Sequence, residues 1–570
     1  MKKVILILSL SLLFEGGFAQ DLGKRIWLSG QARNVLFFDQ FEGAANDTVT
    51  PTRQNSGHTM VDLAANIQPN KNTFIHGMVR IRNDYGGFWS GGVTFDVRQL
   101  YLKGIIANSI RYQVGDINYK LSPYTLRNPE HDLENAFLDY TDIYREILDY
   151  DLFYDFQNSW RQQGAAVDFA LQFEKVISEL QFSGFISRQN PSNFSTVNER
   201  LYTGGNITAV QSKYLSVGLN YVNMFDLLGT AVDSTVMSNP VITATYEAKY
   251  DQDDYKVTLM GELGNSSMII RNDTNAPDLS DYFFDLGAAL DYKPFGAKLK
   301  IRYKNVGPQF FSPGAQTRRM NYSAIPLSYN RYGNTQQLRS IGLMDVLRDA
   351  SIYQTTLRTG LMSYNPAYGN ATPYGEATPN RQGIIADLSQ KDKKQRWDAT
   401  ATLGMLNEIV GTGTNELKSY TYYNAKANAY VDKFISNWDK QIKVSASFWS
   451  ETTDRKGAFE FENVNLQNQS IDVGLDFEFM KDGFLMASYR DLSSVGNDYM
   501  AVRDGYQDVV NYTAMVNDMS ETLVIVGARY KFSKKSTLSI LWSDYTADFK
   551  DGINDSYGMN SLAILFNMKF

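Results

Sequence analysis

Ser561-Leu562-Ala563-Ile564-Leu565-Phe566-Asn567-Met568-Lys569-Phe570 is the stretch that decides the fold. Leu562, Ile564, Phe566, Met568 and Phe570 alternate with Ser561, Ala563, Leu565, Asn567 and Lys569. A period of two places successive side chains on opposite faces of a strand, so this strand has one apolar face. The stretch finishes on an aromatic ring.

The same alternation recurs upstream in segments of about ten residues. Phe284, Leu286, Ala288, Leu290 and Tyr292 alternate with Asp285, Gly287, Ala289 and Asp291. Ala297, Leu299, Ile301 and Tyr303 alternate with Lys298, Lys300, Arg302 and Lys304. Ile471, Val473, Leu475, Phe477 and Phe479 alternate with Asp472, Gly474, Asp476 and Glu478. The segments are too many and too aromatic for one face of a soluble sandwich, and no short fixed-period repeat points to a β-helix.

Composition agrees. Among 570 residues there are 36 Tyr and 33 Phe, yet hydrophobic residues make up only 43% and the mean hydropathy is −0.34. Many aromatics with modest hydrophobicity suit a barrel in which only alternate strand residues meet lipid. No downstream stretch has the ~18 uninterrupted apolar residues of a spanning helix. The chain has no cysteine, so disulfides and thiolate metal sites are excluded. A net charge of −7 offers no basic excess for a nucleic-acid partner.

Residues 1–19 read as a secretory signal: Lys2 and Lys3, an apolar core from Val4 to Phe14, and a small-x-small site at Gly17-Phe18-Ala19. Cleavage is expected near Ala19, leaving residues 20–570 as one domain. A leader, alternating strands and a terminal aromatic together resemble the Gram-negative outer-membrane β-barrel proteins, a broad porin-like class. That resemblance implies an outer-membrane location, outer-membrane lipid as surroundings, and assembly machinery that reads Phe566, Met568 and Phe570 as the terminal signal. Few residues separate the leader from the first strand, so no plug of the TonB-dependent transporter kind is expected.

The expected fold is therefore all-β: a single transmembrane antiparallel up-and-down barrel of about 22 strands (range about 18–24), with short periplasmic turns and long extracellular loops. Two dozen or fewer strands must be an even number to return both ends to one side. That parity requires a strand at Arg381–Ser389, paired with Gln395–Met405. Long connections are expected at 40–57, 118–163, 224–238, 266–282, 306–379, 451–469, 492–520 and 547–558, among others. Trp27, Trp89, Trp397 and Trp438 are expected at the headgroup layers, where an indole is favoured.

Three places could carry function. In loop 118–163, Asn128-Pro129 with following acids reads as a helix start. Its apolar periodicity from Leu133 to Leu148 must be buried, and the barrel mouth is the nearest place. Glu130, Asp132, Glu134, Asp139, Asp142 and Glu146 would make it an acidic constriction; an ordered cap without selectivity is the plainer alternative. Loop 306–379 mixes Tyr, Asn, Gly and Pro and is expected to fold over or into the mouth. Third, His76, Arg80, Arg82, Arg111, Lys298, Lys300, Arg302 and Lys304 should face the lumen together with Asp285 and Asp291. That set is either an anion-favouring ladder or, more plainly, part of a neutralised lattice with Glu262, Asp472, Asp476 and Glu478.

Catalysis has little support. His58 beside Ser56 and His131 beside Asp132 are the only pairs of hydrolase type, and no phosphate loop or paired metal-ligand spacing appears. No enzyme activity, cofactor or metal is expected. The function read from the sequence is a porin-like or substrate-specific diffusion channel with its mouth narrowed by two long loops. The alternative is a non-catalytic barrel subunit of an outer-membrane secretion, assembly or nutrient-uptake complex, with the loops as docking surfaces.

Overall fold

The computed structural model describes residues 25–42, 53–85, 93–126, 162–190, 192, 194–195, 198–232, 236–271, 279–315, 369–373, 375–436, 438–503, 509–550 and 556–570. The leader at 1–19 and the acidic helix expected after Asn128 lie outside these residues.

The strands are β1 (Ile26–Glu42), β2 (Arg53–Asn70), β3 (Thr73–Asp84), β4 (Thr94–Ile106), β5 (Ile110–Ile117), β6 (Gln162–Gln172), β7 (Glu179–Asn190), β8 (Arg200–Ser212), β9 (Leu215–Asp226), β10 (Val236–Asp251) and β11 (Tyr255–Arg271). They continue as β12 (Leu279–Tyr292), β13 (Ala297–Val306), β14 (Arg381–Lys391), β15 (Trp397–Asn407), β16 (Ser419–Tyr430), β17 (Ile442–Arg455), β18 (Val464–Met480), β19 (Gly483–Arg503), β20 (Val509–Ser533), β21 (Ser536–Phe549) and β22 (Tyr557–Lys569). Each pairs antiparallel with its neighbours in sequence, and β1 pairs with β22 to close a barrel of 22 strands. The strand that parity demanded is β14, in register with β13 and β15.

Phe570 and Gly30 exchange backbone bonds of 3.0 Å in both directions. A Cβ at Gly30 would run into the Asp62 carbonyl oxygen and the Phe570 ring. The terminal aromatic thus lies over a glycine, and the last strand closes against bare backbone.

The outward faces mark the membrane. Along β18, Ile471, Val473, Leu475 and Phe479 are exposed on the outside of the barrel, whereas Asn465, Gln467 and Gln469 occupy the same face nearer the long-loop end. From Ile471 to Phe479 is nine residues. At about 3.3 Å per residue and a tilt of about 40° they cover about 23 Å, the height of a barrel's apolar band. Tyr250, Tyr255, Tyr292, Phe295, Trp438 and Phe532 are exposed near the short-turn end, as an aromatic girdle requires.

Two expectations need correction. The connection drawn at 492–520 is largely strand, because β19 and β20 continue pairing from Leu492↔Glu521 to Arg503↔Val509. Just beyond the lipid band the outward residues Ser493, Asp518 and Ser520 are polar, so the apolar alternation is interrupted while the backbone ladder persists. Trp27 does not face lipid. It stands opposite Asn66, which stands opposite His76, and its ring lies 5.7 Å from that of Phe74 on the lumenal face.

Replacing Gly30 with Leu should weaken closure by ~1–3 kcal/mol, the usual cost of overpacking. A urea titration of the heat-modifiable folded band in a gel reads this, and an unshifted midpoint would show that the seam is loose.

Candidate functional site

Twenty-two strands enclose a lumen wide enough to be a channel or to need filling. Inward side chains of an empty barrel of this size would be wet. Many here are dry: Phe37, Met60, Tyr202, Lys304, Glu521 and Tyr545 are all at most 6% exposed.

The reason is visible where the long connections begin and end. After β5 the chain turns inward at Asn118–Leu126, and after β13 at Gly307–Ala315. Phe310, Phe311, Tyr124 and Leu126 bury themselves against Phe283, Tyr202, Met224 and Met268 on the inner wall. The Tyr124 and Phe283 rings stack at 4.0 Å. These apolar contacts supply the area, and polar contacts fix the register. The Tyr202 hydroxyl donates to the Thr125 carbonyl at 3.0 Å, and the Ser312 hydroxyl to that of Tyr124 at 2.8 Å. The Phe311 amide donates to Ser266 at 2.9 Å, and Ser122 donates to the Glu262 carboxylate.

A charged knot joins the two connections to β12 and β13. The Tyr124 hydroxyl donates to Asp285 at 2.8 Å. Arg302 reaches Asp285 at 3.1 Å and Glu376 at 2.9 Å. Lys304, fully buried, reaches Glu376 at 3.3 Å. Burial, reinforced by the Asp285 carboxylate, pushes the Tyr124 phenol well above its usual range, so it remains a donor at physiological pH. Farther along the loop, the Asn370 amide donates to Glu451 at 2.6 Å. Arg381 caps the Asn370 and Ala371 carbonyls at 2.9 Å and lies 3.9 Å over the Tyr420 ring.

The inward charges named from the sequence lie on the lumenal face, mostly beside acids. Arg80 pairs with Asp62 at 2.6 Å, both buried. Arg111 pairs with Asp168. His76 meets Asn66 at 2.8 Å. Asp291 faces Lys298, and Lys300 faces Asp387, in register. Further pairs join Arg490 to Asp472 at 2.8 Å, Arg529 to Asp476 at 2.7 Å and Arg200 to Asp226 at 2.6 Å. The wall is thus a lattice of neutralised pairs at these positions. Arg82 is half-buried. Glu130, Asp132, Glu134, Asp139, Asp142 and Glu146 lie outside the described residues. Phe566, Met568 and Phe570 sit on the outward face of β22, whose register places Phe566 opposite Asn34 and Met568 opposite Ala32 of β1.

Burial is uneven. In the sector β3–β9 the inner wall opens toward the short-turn end. Along β7 the inward residues pass from exposed Gln181, through half-buried Ser183, to buried Phe185 and Ser187. Two adjoining cavities of about 450 and 720 Å³ occupy this sector, sharing Arg111 and Asp168. These cavities form a vestibule at the periplasmic end of the lumen, bounded on one side by Asn118 and Tyr119, where the first long connection begins.

Sequence reasoning missed Tyr124, Phe310, Phe311 and Glu376. The run Gly307-Pro308-Gln309-Phe310-Phe311-Ser312-Pro313-Gly314 carries the only signal, an apolar pair between turn formers. His58 is buried on the inner face of β2, and among the described residues no group of His, Asp and Glu could hold a metal ion.

This is a transmembrane β-barrel of the outer-membrane type. No family model matches the chain, and no curated protein matches it. Solved structures similar to it include OmpTdeltaL8, a loop-deletion mutant of OmpT, an outer membrane protein of Vibrio cholerae, at 9% identity over 96% of this chain and 99% of that one, TM-score 0.27. OpdO of Pseudomonas aeruginosa shares 9% identity over 96% and 98%, TM-score 0.36. The P pilus usher translocation pore, PapC, shares 8% over 95% and 100%, TM-score 0.37. Values this low carry no argument about function, and the barrel rests on its own hydrogen-bond ladder.

Glu376→Ala should leave Lys304 buried without its anion, at ~3–5 kcal/mol for a broken buried pair. The expected result is faster proteolysis between 369 and 380 with the heat-modifiable barrel intact; an unchanged cleavage rate would show that the knot does not hold the loop.

Proposed function

We propose that this protein is a porin-like, substrate-specific channel of the outer membrane, held closed in this state by the inward ends of its two long loops. The observation that supports it is the contrast between two ends of one lumen. On the long-loop side many inward residues are buried, among them Phe37, His58, Tyr202, Lys304, Asn468 and Ser561. On the short-turn side a polar vestibule opens, with Arg111 71% exposed. A barrel that served as a structural post alone gains nothing from such a vestibule, whereas a gated conduit needs one. A general, permanently open pore does not fit the burial.

The same burial favours a second reading, a non-catalytic subunit of an outer-membrane secretion, assembly or nutrient-uptake complex. Conductance in planar bilayers separates them. Wild type should be nearly silent, and Tyr124→Ala combined with Glu376→Ala should produce frequent, large openings. Silence in the folded double variant would sink the channel reading and leave the subunit. Steady large conductance in the wild type would mean that the loops do not close the mouth.

A further inference from the structure

The vestibule has chemistry that closure does not use. The residues that bound its smaller cavity include Phe74 of β3, Tyr112 of β5 and Tyr119 just after β5. Tyr119 is fixed: its hydroxyl donates to Ser183 at 2.7 Å and its ring stacks on Phe185 at 4.6 Å. Phe74 belongs to an inward aromatic row. Trp27 lies 5.7 Å from it and Tyr101 6.2 Å, while His76 stacks on Tyr101 at 4.9 Å. This row is partly open to water, with Trp27 41% exposed. Aromatic surface left wet inside a lumen, away from lipid, is surface kept for a ligand.

Charge adds a second requirement. The cavity is lined by Lys71, Lys103 and Arg111 against one acid, Asp168. Lys103 sits 5.1 Å over Phe74 and 5.4 Å over Tyr101. Neither it nor Lys71 has an acidic partner among the described residues. The Arg111–Asp168 pair is solvent-exposed, 71% and 38%, so exchanging that partner for another carboxylate costs little. Gln68, Asn72, Gln113 and Asn118 add side-chain amides to the lining. Side-chain amides donate and accept at once, which suits hydroxyl groups.

We propose that the vestibule binds a carboxylated saccharide, of mono- to disaccharide size, entering from the periplasmic end. The C–H face of the sugar stacks on Phe74, its hydroxyls pair with the amides, and its carboxylate meets Lys103 and Arg111. A flat aromatic carboxylate would use the rings and cations but leave the amides without work. The site is independent of conduction, and stands whether the barrel is a channel or a subunit.

The test is isothermal titration of the full chain in detergent micelles with digalacturonate, with its neutral methyl ester, and with phthalate as a flat diacid. Digalacturonate should bind, and the ester about tenfold or more weaker. Lys103→Met should weaken the acid about tenfold while leaving the ester unchanged, and Phe74→Ala should weaken both. Each variant is checked for heat-modifiable mobility, and Lys71→Met serves as a second, milder charge deletion if either fails to fold. No heat at millimolar digalacturonate overturns the proposal. So does equal binding of acid and ester, binding indifferent to both Lys103 and Phe74, or phthalate binding as tightly as the sugar.

Discussion

Everything in this structure depends on the backbone ladder that joins β22 to β1. In hydrocarbon an unpaired N–H or C=O costs several kcal/mol, so a sheet that crosses a membrane must have no open edge. Twelve residue pairs from Gln31↔Lys569 to Glu42↔Gly558 remove the last edge. The seam is finished by Phe570 on Gly30, where a larger residue would collide with the neighbouring strand. Once closure is required, the strand number is even, both ends of the barrel return to one side, and long and short connections fall on opposite rims.

Closure with 22 strands creates the second problem, an interior too wide for facing side chains to fill. The chain answers with its own connections. Rings from residues 119–126 and 307–315 cover the wall at β8–β13, and the Tyr124–Asp285–Arg302–Glu376–Lys304 knot fixes them. Buried ion pairs are not a cheap source of stability, because desolvation offsets most of the attraction. Their value here is geometric. Each holds a loop end at one place on the wall, and each is costly to break by halves.

The barrel was legible in the sequence because lipid imposes a period of two on every outward face. Phe284 to Tyr292, Ala297 to Tyr303 and Ile471 to Phe479 obey it, and parity alone located β14. Legibility stopped where lipid stopped. Asn465, Gln467 and Gln469 continue β18 above the membrane with polar outward residues, and Ser493, Asp518 and Ser520 interrupt the apolar face of β19 and β20, so those extensions read as loop. Trp27 misled because Ile26 and Leu28 flank it, which leaves its face undefined until Asn66 pairs with it. The loop knot had no local signal: Tyr124 and Asp285 are 161 residues apart and Arg302 and Glu376 are 74 apart. Contacts of that kind obey no periodicity, and only the folded barrel brings them together.

In the proposed channel the lumen is closed on the extracellular side and open on the periplasmic side. Since the chain has no cysteine, single cysteines report on this without background. Ser494→Cys lies on the inner wall at the long-loop end, where the native side chain is fully buried; Gln181→Cys lies in the vestibule. With a small hydrophilic maleimide on the folded protein, Gln181→Cys should label at the rate of an exposed thiol and Ser494→Cys far more slowly, until urea unfolds the barrel. Equal, fast labelling of both would contradict the account, because it would mean that water fills the lumen from end to end.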